Sequence, residues 1–251
     1  MGVDVGGTKV LAALVKPEGV VAARKRKPTP RGVTPQECVM FIMQVLEDLL
    51  DSQGIAAREL KAIGLAVPGV VDPDAGTVVV TPNMNLSGLE VVKVMEDRFR
   101  VPVALGNDVN MGTLGEKWLG AARDANSAVG IFVGTGIGGG IVINGELVRG
   151  GREAAGEIGH ILMEVGGPLC GCGNRGCLEA FASRSAIERQ LREAVASGQR
   201  TILTKIAGKD LKVIKSSVLV ARRRARPAAD RGWYTGPAFP TGRPGRDRAS
   251  R

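Results

Sequence analysis

Apolar runs broken by a glycine pair and a Pro-Glu-Gly turn fill the first twenty-three residues. Val3 and Val5 precede Gly6-Gly7, Val10 to Val15 form an apolar run, Pro17-Glu18-Gly19 make a turn, and Val20 to Ala23 begin another run. This predicts strand, glycine turn, strand, turn, strand over 2–27. The period then lengthens. Thr34-Pro35-Gln36-Glu37 opens a helix, with Pro at the first helical position and an acid in the first turn. Val39, Ile42, Met43, Leu46, Leu49 and Leu50 share one helical face, and the helix ends near Gly54. Ala62 to Val67 reads as a buried strand stopped by Pro68-Gly69. Leu89 to Phe99 reads as a helix, Val101 to Leu105 as a strand running into Gly106-Asn107-Asp108, and Val109 to Leu119 as a helix. Ala128 to Val133 is a strand, 134–140 a loop, Ile141 to Ile143 a strand, and Asn144-Gly145 a hairpin turn. Strands alternating with helices predict an α/β fold.

Composition narrows this picture. The 251 residues suit one large domain or two small ones, and 44% hydrophobic content marks a globular chain. No apolar run approaches the roughly 20 residues of a membrane span. The start, Met-Gly-Val-Asp-Val-Gly-Gly, has no basic n-region, so no signal peptide is expected. Few cysteines point to a reducing cytoplasm. The formal net charge of +9 suggests nucleic acid until its distribution is read. Residues 201–251 hold four lysines, nine arginines and three aspartates, net +10, which leaves the first 200 residues at −1. A basic tail is not a basic face, so neither nucleic acid nor membrane is an expected partner.

Two glycine turns recur in equivalent settings. Val3-Asp4-Val5-Gly6-Gly7-Thr8-Lys9 joins two strands, and so does Ile131-Phe132-Val133-Gly134-Thr135-Gly136-Ile137-Gly138-Gly139-Gly140. The second matches G-x-G-x-x-G formally, but a strand follows it where a dinucleotide site needs a helix. The first lacks the Gly-Lys-Ser/Thr ending of a Walker motif. Two such hairpins can clamp a phosphate chain, because bare glycine amides approach phosphate oxygens closely. The alternative is two tight turns without a ligand.

The densest chemistry lies later. His160, the only histidine, is followed by Cys170-Gly171-Cys172-Gly173-Asn174-Arg175-Gly176-Cys177. Three thiolates and one imidazole are the ligand set of a closed, structural zinc site, and the glycines allow the sharp turns it needs. The alternative is three buried or disulfide-bonded cysteines and an isolated histidine. Glu157 and Glu179 flank the cluster, so an ion that fixed the loop would fix these carboxylates too.

Asp4-Val5-Gly6-Gly7-Thr8-Lys9, Asn107-Asp108, Gly134 to Gly140, Glu157-Ile158-Gly159-His160 and Cys170 to Glu179 occur in this order. In this the chain resembles the ROK family of bacterial sugar kinases and repressors, most closely its glucokinases, over roughly residues 2–200. The resemblance implies an α/β, actin-like (ribonuclease-H-like) fold of two lobes, 1–108 and 109–220, with ATP and Mg²⁺ as co-substrates and a hexose as acceptor. It implies Asp108 as general base, a role that suits a carboxylate ionised at neutral pH. It implies sugar contacts from Asn107, Glu157, His160 and Glu179, and weaker ones from Gly69 and Asn83. Asp4, Gly6, Gly7, Thr8 and Lys9 would face phosphates and Mg²⁺. Gly134, Thr135, Gly136, Gly138 and Gly139 would form the second phosphate loop. His160 would give one nitrogen to zinc and the other to a sugar hydroxyl. Asn107-Asp108 could equally cap the following helix. Glucose, fructose and N-acetylhexosamine remain open as acceptors, and ATP and polyphosphate as donors. The family implies a homodimer or homotetramer. Its repressors carry an N-terminal helix-turn-helix, and this chain opens on the phosphate turn.

The resemblance stops near residue 220. Arg222-Arg223-Arg224-Ala225-Arg226-Pro227 leads into a segment rich in Arg, Gly, Pro and Ala without helical or strand period. The expectation for 221–251 is a frameshifted or disordered basic tail. An incomplete second lobe would leave apolar faces exposed and the chain inactive, or able only to bind sugar.

Overall fold

A computed structural model of the chain describes residues 1–82, 84–199, 201–206 and 211. Asn83 and the tail 221–251, both singled out above, lie outside the described residues. The chain divides into two compact units, Met1–Ile187 and Glu188–Arg251.

The first unit begins with the predicted hairpins: β1 (Gly2–Val5), β2 (Lys9–Val15) and β3 (Val21–Pro28). β4 (Ile63–Val67) and β7 (Val103–Asn107) complete a five-stranded sheet in the order β3-β2-β1-β4-β7. β1, β2 and β3 pair antiparallel, whereas β1, β4 and β7 run parallel. The register aligns Asp4 with Ala66, and Ala66 with Gly106. The three parallel strands therefore end side by side, at the first glycine turn, Pro68-Gly69 and Asn107-Asp108. In open α/β sheets the carboxyl ends of parallel strands are where ligands bind.

One face of this sheet is buried by helices. α1 (Pro35–Gln53) forms as its sequence dictates. The Thr34 hydroxyl accepts from the Glu37 N–H, Glu37 reaches back to the Thr34 N–H, and Gly54 closes the helix in the left-handed region at φ 65°. Ile42, Val45 and Leu46 are fully buried against Val5, Val10 and Ile63 in one core, which α2 (Val91–Phe99) extends through Val91, Met95 and Phe99. Each such side chain contributes about 1.5–3 kcal/mol of burial. The core anchors the strand ends from behind.

The second sheet, in the order β10-β9-β8, contains β8 (Ala128–Val133), β9 (Ile137–Ile143) and β10 (Glu146–Leu147). Asn144 (φ 53°) and Gly145 (φ 84°) make the expected turn between β9 and β10. α3 (Asp108–Leu119) packs on β8 and β9. The reading of 134–140 as a loop is corrected here. β9 starts at Ile137, so Gly138, Gly139 and Gly140 are strand residues paired with Phe132, Ile131 and Gly130. Bare glycines serve close packing there: a Cβ on Gly138 would lie 2.6 Å from Val109 Cγ2, and one on Gly139 would meet the Gly156 carbonyl and Ile158. A hairpin of β5 (Val70–Asp72) and β6 (Thr77–Val80) fills a stretch the apolar pattern left unassigned. α2 and β7 each begin two residues later than predicted.

Beyond Cys177 come α4 (Leu178–Ala182), α5 (Arg184–Ala196) and the short α6 (Leu203–Ile206). Within the second unit, Arg192 pairs with Glu188 at 3.0 Å and donates to the Leu211 carbonyl at 3.1 Å. No described helix is long and apolar enough to cross a membrane.

Candidate functional site

At the end of β7 the chain turns directly into α3, and Asn107 and Asp108 divide the work. Asn107 is the helix cap: its Oδ1 accepts from the Val109 and Asn110 N–H groups at 3.0 and 3.1 Å. Its Nδ2 donates to the Gly69 carbonyl at 3.0 Å, which ties the ends of β7 and β4 together. Gly69 sits at φ 96°, where a Cβ would run into the Val80 carbonyl. The capping alternative thus holds for Asn107, and it leaves Asp108 as the first helical residue. Asp108 Oδ1 accepts from the Val109 N–H at 2.9 Å. Desolvation raises the Asp108 pKa above the ordinary 3.8; the Val109 hydrogen bond opposes this, and the Asp4 charge adds to it. Desolvation also raises Asp4, against the pull of Lys9. The two carboxylates therefore feel one another across the strand ends. Both line a largely apolar groove of about 1220 Å³, with Ala66, Met111 and Trp118.

The two glycine turns are held rigidly. In the first, Gly6 N–H donates to the Lys9 carbonyl at 2.8 Å, and the Thr29 hydroxyl donates to the Gly6 carbonyl at 2.5 Å. In the second, Gly134 N–H donates to the Gly136 carbonyl at 2.8 Å. This turn is also fastened from the metal-loop side. Glu179 Oε2 accepts from the Ile137 N–H at 2.8 Å, Arg184 N–H donates to the Gly134 carbonyl at 3.0 Å, and the Arg184 guanidinium donates to Thr135 Oγ1 at 3.1 Å. Gly7, Thr8 and Thr135 line one cavity of about 550 Å³, so the two turns do face a common space.

The cysteine–histidine cluster closes on a point. The ligand atoms of His160, Cys170, Cys172 and Cys177 all lie within 4.8 Å of one another. Cys172 Sγ and Cys177 Sγ are 3.8 Å apart, and Cys170 Sγ is 3.7 Å from His160 Nδ1. A tetrahedral ion with Zn–S bonds of about 2.3 Å separates its sulfurs by about 3.8 Å. All four cysteines of the chain are free, which removes the disulfide alternative. Gly173 (φ 92°) and Gly176 (φ 83°) make the turns between ligands. Desolvation raises the Cys170 thiol and pushes Cys177 up to about 11, while the Asn174 backbone lowers Cys172. Buried thiols with no cation nearby resist ionisation; a divalent cation reverses that preference. The donor set fits zinc, which it would hold without an open position.

Glu157 and Glu179 both lie beside the cluster. His160 turns Nδ1 toward Cys170 and Nε2 toward Glu157, whose Oε2 is 3.8 Å away. Glu179 Oε1 is 3.8 Å from Cys170 Sγ. Sequence reasoning missed Thr29 and Arg184. Neither carries a motif, and each acts on a turn that is remote in sequence.

The sequence matches the ROK family over residues 1–231. The chain belongs to the ROK family. The match runs past residue 220, where the motif-level resemblance ends. A glucokinase of Thermotoga maritima is 34% identical over 225 residues, 89% of this chain and 69% of that protein. A putative xylose repressor of a Caldicellulosiruptor species is 33% identical over 198 residues, 79% of this chain and 50% of the repressor. The chain thus spans about half to two thirds of the curated relatives it matches. Among solved structures, a ROK family glucokinase from Streptomyces griseus, in complex with glucose and AMPPNP, superposes with a TM-score of 0.75 at 32% identity, covering 89% of this chain and 70% of that one. The fold is therefore the actin-like α/β fold of the ROK kinases.

Proposed function

We propose that this chain belongs to an enzyme that phosphorylates a hexose, glucose foremost, at the 6-hydroxyl, with ATP as donor and Asp108 as general base. The observation that carries this reading is the placement of Asp108. It is a desolvated carboxylate with a raised pKa, at the ends of three parallel strands and beside a second acid. A raised pKa makes a carboxylate a better proton acceptor. Asp108 takes the hydroxyl proton as the sugar oxygen bonds to the γ-phosphorus, and the bond to the β-bridging oxygen breaks to release ADP.

Asn107, Gly69, Glu157, His160 and Glu179 form the sugar side of the proposed site, and Asn83 is assigned to it by the family resemblance alone. His160 Nε2 and Glu157, 3.8 Å apart, leave room for a hydroxyl to bridge them. Asp4, Gly6, Gly7, Thr8, Lys9, Gly134, Thr135 and Gly136 form the phosphate side. Gly138 and Gly139 contribute there only as the root of the second turn. Mg²⁺, when bound near Asp4 and Asp108, would neutralise charge on the donor phosphates. Zinc at His160, Cys170, Cys172 and Cys177 would order the sugar-side loop. The lobes 1–108 and 109–220 and a cytoplasmic setting belong to this reading.

A second reading is a sugar-responsive regulator that binds without turnover. It is favoured by the xylose repressor relatives, which are as similar to this chain as the glucokinases. ADP release by the zinc-loaded chain with ATP, Mg²⁺ and a panel of hexoses separates the two. Turnover with one hexose, reduced about 10²–10⁴-fold in Asp108→Ala, is the expected result. Saturable glucose binding with no ADP formed would assign the chain to the regulators instead.

A further inference from the structure

The segment between β3 and α1 closes the 550 Å³ cavity that Gly7, Thr8 and Thr135 also line. Its Arg31 is the only charged residue lining that cavity among the described residues. The segment is anchored at both ends. On one side Thr29 donates through its hydroxyl to the Gly6 carbonyl at 2.5 Å and through its N–H to the Thr8 carbonyl at 3.2 Å. On the other, Asn85 Nδ2 donates to the Val33 carbonyl at 2.9 Å. Arg31 is thereby carried by a strap bonded to the first glycine turn. Among the described residues its guanidinium has no acidic partner.

A cation in this position has a chemical reason. The other residues that line the cavity offer only neutral donors: backbone N–H groups, the hydroxyls of Thr8 and Thr135 and the amide of Asn85; Lys9, at the end of the first turn, is not among them. Neutral donors orient a phosphate chain but do not balance its charge. A guanidinium supplies both, since its planar fork grips two phosphate oxygens and stays ionised throughout the working pH range. A neutral sugar gains far less from such a group. We infer that Arg31 binds the phosphate chain of the phosphoryl donor and holds it against the two glycine turns. The inference rests on the kinase reading above and adds to it a binding residue outside every motif in the sequence.

The test is calorimetric titration of the zinc-loaded chain with inorganic tripolyphosphate, and separately with glucose, for the unaltered protein, Arg31→Gln and Arg31→Lys. Arg31 is exposed on a loop, so both variants should fold, and unchanged glucose affinity and zinc content will verify it. The expected result is tripolyphosphate binding weakened about 10–100-fold in Arg31→Gln, partly recovered in Arg31→Lys, with glucose affinity within about twofold. Equal tripolyphosphate affinity in Arg31→Gln overturns the inference and leaves the kinase reading standing. Loss of glucose binding with tripolyphosphate unaffected also overturns it, by making Arg31 a sugar residue. If the unaltered chain binds neither tripolyphosphate nor AMPPNP, both the inference and the phosphate role of the two turns fall together.

Discussion

Asp4, Asn107 and Asp108 are placed by a sheet, whereas Glu157, His160 and Glu179 are placed by a loop wrapped round a candidate metal site. Behind the first group lies a continuous core of strands β1, β2, β4 and β7 against α1 and α2. Behind the second, the only buried cluster among the described residues is Cys170, Cys177 and Ala180. Leu162, Met163, Val165 and Leu169 are exposed, Val165 at 88%. Hydrophobic burial cannot order a segment whose apolar side chains face water. In the loop, cross-linking through one ion would take the place of a core. The gain is reach: such a loop can bring a carboxylate onto a turn far away in sequence, as Glu179 does at Ile137. The cost is dependence on a ligand.

The sharpest way to break this comparison is to remove the metal. Cys177→Ser, or exhaustive chelation of the unaltered chain, should abolish stoichiometric zinc and expose the amides of 161–178 to rapid hydrogen exchange. Those of α1 should stay protected. Structural zinc in small peptides contributes about 10–16 kcal/mol of apparent binding, so the local effect should be large. Through Glu179 and Arg184 the loss should reach Gly134 to Ile137, whose exchange should also rise. A chelated protein with unchanged exchange over 161–178 would show that the loop is ordered by something other than its ligands.

The converse experiment weakens the core and spares the loop. Leu46 is fully buried in the centre of α1's apolar face. Leu46→Ala should cost about 2–5 kcal/mol in urea unfolding, because a cavity remains where the side chain was. Zinc content at equilibrium under native conditions should be unchanged. If zinc is lost as well, the two regions fold as one and the distinction drawn above fails.

The same division explains what could be read from the sequence. α1 was legible to its caps, because Thr34, Pro35, Glu37 and Gly54 act on their own neighbours. The candidate metal ligands were legible because their chemistry and spacing are local. Gly138 to Gly140 were misread as loop, because glycine density signals a turn unless one knows that Val109, Ile158 and Thr113 press against those positions. β5 and β6 were passed over because the strands are short and depend on each other. Asp108 was singled out through its family motif, while its raised pKa depends first on desolvation by the fold and then on the charge of Asp4, more than a hundred residues earlier. Thr29 and Arg184 carried no local signal, since each acts on a turn brought near only by folding.

The smallest expected effect separates the regions by pH. Asp48, on α1, meets Lys27 and Lys25 of β3, the latter at 3.4 Å, and accepts from Gln44 at 3.0 Å. The Lys27 hydrogen bond, followed by that of Gln44, lowers its pKa from 3.8 to about 2. A carboxylate with a depressed folded pKa stabilises the fold fully above its unfolded value and loses that contribution as pH falls through the folded one. The Asp48 contribution should therefore be intact above pH 3.8 and fade toward about 2. The group is half-buried at the surface, where solvent and salt still screen it, so the effect on the unfolding midpoint should be slight and smaller in high salt. Thermal unfolding of metal-free protein and its Asp48→Asn variant tests this with the loop already removed from the balance. The midpoints should differ above pH 3.8 and converge as the pH approaches about 2. A difference that persists unchanged at the acid end would mean that Asp48 acts through packing on the strand and not through its charge.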